Sequence, residues 1–174
     1  MRSAATILAT LAALSPSISA QSPSEEKTAM DKIGFLAGSF SGEATFAIGA
    51  QKVKAPTTAK GSLTMGGKFY EINVKYEIPG MPTEGKAMIS YDPAKKTYNG
   101  WWFDGSNPGT IKQSAELKGD SLVFLTKNED SLGGILVRTT WKKSEKGVHC
   151  TVEMKPGDSW TTMVDLELTK KSEG

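Results

Sequence analysis

Few residues in this chain have chemistry within reach. His149 is the only histidine, and it adjoins the only cysteine, Cys150. An imidazole beside a thiol could supply metal or haem ligands, or act as a base and its nucleophile. The flanking residues argue against both uses. Val148, Cys150, Val152 and Met154 alternate into one apolar face, so His149 falls with Thr151 and Glu153 on the solvent face, exposed and unpaired. One histidine cannot build a structural zinc site, and no second cysteine is available as a ligand or for an intramolecular disulfide. No G-x-S-x-G elbow occurs, and no glycine-rich phosphate loop precedes a helix. Asp104-Gly105-Ser106-Asn107 crowds oxygen ligands that calcium could use, but the rest of an EF-hand loop is missing and an Asx turn explains the same residues. The sequence therefore implies no metal, no cofactor and no enzyme.

What remains is aromatic: Tyr70, Tyr76, Tyr98, Trp101, Trp102, Phe103, Phe124, Trp141 and Trp160. Adjacent Trp101 and Trp102 must point to opposite faces of a strand, one lining an interior and the other covering the outside. Tyr98, Trp102 and Asp104 are evenly spaced and share a face. If that face is outside, the group is ordinary surface. If it is inside, Asp104 becomes a buried carboxylate in need of a donor, which Arg138 or Gln113 could provide. For a carrier, the inward reading makes Tyr98, Trp102 and Asp104 a ligand wall, with Arg138 as partner of the carboxylate. Tyr70, Ile72, Val74 and Tyr76 then form the neighbouring wall.

The elements that would position these residues are short and of period two. Lys68 to Ile78 shows it best: Tyr70, Ile72, Val74, Tyr76 and Ile78 lie on one face, with Glu71, Asn73, Lys75 and Glu77 on the other. Turn residues cut the chain into ten strands, near 39–49, 57–66, 68–78, 84–91, 97–104, 110–117, 121–127, 134–142, 147–155 and 159–169. Sequential strands with tight links and no crossover helices imply an antiparallel meander, and ten of them can close into an up-and-down barrel that leaves no edge. A two-sheet sandwich is the alternative. Met30, Ile33, Leu36 and Ala37 suit a short helical turn ahead of the strands, placed to plug one barrel end.

The N-terminus reads as an export leader. Arg2 gives a positive start, Ala4 to Leu14 an apolar run, and Ile18-Ser19-Ala20 a small-residue cleavage site. The run is too short to anchor the chain across about 30 Å of hydrocarbon, and no cysteine follows it for lipidation. The expected division is a signal peptide over 1–20, a flexible polar linker over 21–29, one barrel domain over 30–170 and a tail over 171–174. Export points to the periplasm or the exterior. With 21 Lys and Arg against 19 Asp and Glu, and Arg2 in the leader, the rest is close to neutral. Nothing in that balance favours nucleic acid or an acidic membrane surface as partner.

Several segments carry a family resemblance. Phe35-Leu36-Ala37-Gly38-Ser39-Phe40-Ser41-Gly42-Glu43 is similar to the L-x-G-x-W-x-G-x opening of calycin-type barrels, with Phe40 where tryptophan is usual. Met65-Gly66-Gly67-Lys68-Phe69, then Ser90-Tyr91-Asp92-Pro93, then Tyr98-x3-Trp102-x-Asp104 follow in order. Together these resemble the bacterial family known as domain of unknown function 1579, over about residues 30–170. The resemblance implies a lipocalin-like barrel and brings no activity with it. The resulting expectation is an exported barrel that binds a small apolar ligand through Tyr70, Tyr76, Tyr98, Trp102, Asp104 and Arg138. A filled barrel serving as a structural or protein-interaction module is the second reading.

Overall fold

Ten segments of period two each have an apolar face to hide, and the chain hides them by closing into a barrel. A computed structural model describes residues 24–78, 81–105, 107–128 and 134–172. The expected signal peptide over 1–20 and its cleavage site lie outside the described residues, as does Ser106 of the Asp104–Asn107 turn. The strands are β1 (Gly38–Ile48), β2 (Gln51–Thr64), β3 (Phe69–Ile78), β4 (Met81–Asp92), β5 (Thr97–Asp104), β6 (Asn107–Lys118), β7 (Ser121–Asn128), β8 (Ile135–Lys143), β9 (Gly147–Lys155) and β10 (Thr161–Lys170). Each pairs antiparallel with the next, and β10 returns to β1 with Phe40 opposite Lys170 and Phe46 opposite Val164. The barrel is closed, each strand pairing with a neighbour on either side, so the sandwich alternative is set aside.

Most expected strand limits hold to within about three residues, and β2 differs most. It begins at Gln51, ahead of the expected start near residue 57, and contains Pro56. Pro56 stands opposite Glu43 of β1, whereas pairing of β2 with β3 starts only at Thr57. The first half of β2 therefore has one ladder partner, and there a missing N–H is tolerated.

The N-terminal reading needs a larger correction. Residues 25–29, read as flexible linker, belong to a helix α1 (Glu25–Lys32). Ser24 caps it by accepting a bond from the Lys27 amide at 3.1 Å, and Glu25 and Glu26 sit in the first turn while Lys32 sits in the last. These are the placements that the helix dipole favours. A single 3-10 turn (Gly34–Leu36) follows, and Ala29, Met30, Ile33 and Leu36 are buried across one end of the barrel. Tyr98 donates its hydroxyl to the Ala29 carbonyl at 2.8 Å, which ties the plug to the wall. The close approach requires Gly61: any side chain there would strike the Leu36 carbonyl oxygen. Phe40, Tyr70, Tyr98, Leu122, Val148 and Leu168 are buried in the same half of the interior and form the core beneath the plug.

Candidate functional site

The other half of the barrel is not filled. Tyr76 and Ile78 end β3, Trp102 and Asp104 end β5, and Val137 and Thr139 open β8. Together with Phe46, Thr83, Gln113, Val152 and Val164 they enclose a cavity of about 280 Å³. Its floor is Ala87, Ile89, Gly100, Phe124, Trp141 and Cys150. The volume sits at the small end of ligand pockets, which begin near 300 Å³.

Parity along each strand decides which expected residues reach this space. Trp102 is opposite Ala87 and Ile111, and its indole lies across Gly85 of β4, where an added Cβ would collide with the ring. Trp101 takes the outer face, tilted against Phe69 with ring centroids 6.1 Å apart. Tyr76 packs edge-on against Phe46 at 5.1 Å. Burial pushes the Tyr76 phenol far above its ordinary range, with charge at Cys150 and Asp104 adding to the effect, so it stays a hydroxyl donor. Trp102, Asp104 and Tyr76 of the expected set thus meet in one cavity.

Tyr70 and Tyr98 point inward but lie under the plug, away from the cavity. The Tyr98 ring packs on Tyr91 at 5.1 Å and its hydroxyl is committed to Ala29. Arg138 is the clear correction. Val137, Thr139 and Trp141 take the inward positions of β8, so Arg138 faces outward. There its Nε donates to Glu153 Oε2 at 2.8 Å and its guanidinium lies over the Trp160 ring, 4.3 Å from the centroid. It cannot partner Asp104. Gln113, the other donor considered for that carboxylate, does line the cavity. Phe46, Thr83 and Thr139 were missed, although each has the parity of a buried neighbour: Ala44, Ala87 and Trp141.

His149 faces outward as its alternation requires, but it is paired. Its Nε2 lies 2.7 Å from Asp165 Oδ1 on β10. Behind it Cys150 is buried, and burial, with the Asp165 charge adding, holds the thiol well above the usual range. A protonated, enclosed thiol is a poor nucleophile. Among the described residues no group of three His, Cys, Asp or Glu is arranged to hold a metal ion.

Fold and site together define a class: a closed ten-stranded antiparallel barrel, plugged at one end and hollow at the other. Over residues 22–170 the sequence matches the family described as protein of unknown function (DUF1579). The chain belongs to that family. No curated protein matches it.

Proposed function

We propose that this protein is an exported carrier whose barrel holds one small, mainly apolar molecule. One observation carries the reading: beyond the buried core under the plug, the barrel keeps a cavity of about 280 Å³ walled by aromatic rings and only a few polar groups. A barrel used only as a scaffold has no need of that space, because filling it would add contacts and stability. The protonated Cys150 and Tyr76 suit containment better than reaction. Export rests on the charged, apolar and cleavable leader.

A neutral phenyl-naphthylamine dye tests the carrier. It should brighten saturably at one site per chain. Ala87→Phe, which places a ring in the cavity from a floor position, should remove that binding and leave the strand signal in circular dichroism intact. Unsaturable dye uptake, or equal binding by the variant, would leave the filled-barrel module as the better reading. Export is tested on the same preparation: the intact mass of protein recovered outside the cytoplasm should start near Gln21, and a retained Met1 would refute it.

A further inference from the structure

The polar groups that line the cavity fall into two sets. Asp104, the one acidic residue among the lining residues described, is already engaged within the protein, and so is Thr83. No lysine or arginine lines the space. Tyr76 on β3, Gln113 on β6 and Thr139 on β8 form the second set. Among the described residues none of these three side chains has a hydrogen-bond partner, and none of their polar atoms is sealed in the wall. The Gln113 amide and both hydroxyls can donate. Burial keeps the Tyr76 phenol protonated, so its hydrogen stays in place. Gln113 also stands where the β6–β7 ladder stops: Ser114 pairs with Leu125, but Gln113 does not pair with Thr126. Thr126 has the inward parity of Leu122 and Phe124, and its hydroxyl is buried with no partner among the described residues. This corner of the barrel therefore holds more hydrogen-bonding capacity than the fold consumes.

We propose that the cavity selects an uncharged ring compound bearing a carbonyl group. Its oxygen accepts from the Gln113 side-chain amide, and its ring lies on the floor of Ala87, Ile89 and Phe124. The inference rests on the carrier reading above and adds the polar group that the ligand bears. A carboxylate or an ammonium would give up the hydration of a full charge and find no free counter-charge. A hydrocarbon of the same shape would gain the floor contacts, but it would strip water from the Gln113 amide and leave it unpaired. A carbonyl oxygen brings lone pairs and no hydrogen, which matches a wall whose open groups can all donate.

Four probes of nearly one shape test this on the full chain: acetylnaphthalene, isopropylnaphthalene, naphthoate and naphthylmethylammonium, each displacing the neutral dye. The ketone should bind at least as tightly as the more apolar hydrocarbon, and about tenfold or more tightly than either charged probe. Gln113→Leu should weaken the ketone about fivefold or more relative to the hydrocarbon, whose own binding should not fall. Isotope-difference infrared spectra of the bound ketone should place its carbonyl stretch below the position it has in an apolar solvent. That measurement needs no variant, so it decides the matter if Gln113→Leu does not fold. A carbonyl stretch at the apolar position overturns the inference. So does equal weakening of ketone and hydrocarbon by Gln113→Leu, or a charged probe that binds as tightly as the ketone. If the dye and the hydrocarbon bind while any of these holds, the carrier reading stands and only the carbonyl inference fails. If neither the dye nor any probe binds, both fail.

Discussion

At Gly85 the barrel wall lacks a side chain because the Trp102 indole lies there. A methyl group at that position would meet the far edge of the ring, and the cavity that the indole borders offers it space to move into. Gly85→Ala should therefore cost modest stability, near the low end of the 1–3 kcal/mol or so usual for overpacking. Its larger effect should be on the dye, whose affinity should fall about tenfold or more as the ring takes its space. Thermal unfolding and dye titration of the same preparation check both halves, and unchanged affinity would mean that Trp102 does not shape the cavity. The even spacing of Tyr98, Trp102 and Asp104 showed that they share a face, but not whether that face is the inner or the outer one. Arg138 lies outside because parity along β8, and not a carboxylate's need for a donor, decides which face a residue takes. Trp141, three residues on, already puts Arg138 on the other side of β8. The gap that sequence could not show is distance: nothing in the spacing of β3 and β5 says that Tyr70 and Tyr98 sit under a plug while Tyr76 and Trp102 sit above it.

The plug is the element on which the filled half depends, and Tyr98 is its fastening. Burial, with Tyr91 beside it, pushes the Tyr98 phenol from 10.0 up to about 12. The folded state thus holds this proton more tightly than the unfolded chain does. The stability tied to it is fully present below pH 10 and is lost as pH rises through about 12. Above that range the phenolate can no longer donate to the Ala29 carbonyl. Denaturant midpoints measured between neutral and strongly alkaline pH should stay level and then decline over this window. Tyr98→Phe should start lower by about 1 kcal/mol, the worth of one hydrogen bond, and decline less steeply. An identical alkaline slope in wild type and variant would show that Tyr98 does not fasten the plug. The apolar positions Met30, Ile33 and Leu36 announced a buried helical element from sequence alone. Its start did not show, because Ser24-Glu25-Glu26-Lys27 is as polar as a linker. What makes it helical is a cap and a favourable charge order rather than an apolar stripe.

Over the whole molecule, closure was legible because every strand carries one apolar face and the connections are short. Which half would be hollow was not, since that depends on how side chains from all ten strands share one volume. The ring is also uneven. Among the described residues its shortest ladder joins β6 to β7, where only Ser114–Lys118 pairs with Leu125–Ser121. Gln113 and Thr126 would form the next pair and do not, although Thr126 remains paired with Val137 of β8. The Thr126 hydroxyl oxygen is buried there with no hydrogen-bond partner among the described residues. A buried hydroxyl without a partner and an interrupted ladder both lower the cost of opening. Beside this seam, Ile111 and Gln113 line the cavity. Native-state hydrogen exchange should therefore show the first half of β6 opening well before the closing seam. There β1 and β10 stay paired along Phe40–Phe46, and Ala44, Leu166 and Leu168 are buried. Amides that pair β6 with β7 should exchange by local opening with little dependence on denaturant, while those between β1 and β10 should exchange only with global unfolding. Because the cavity adjoins the weak seam, saturating dye should slow exchange at Ile111 and Gln113 and leave β1 nearly unchanged. Uniform protection around all ten strands, or slowing by dye confined to β1 and β10, would contradict this account of where the barrel opens.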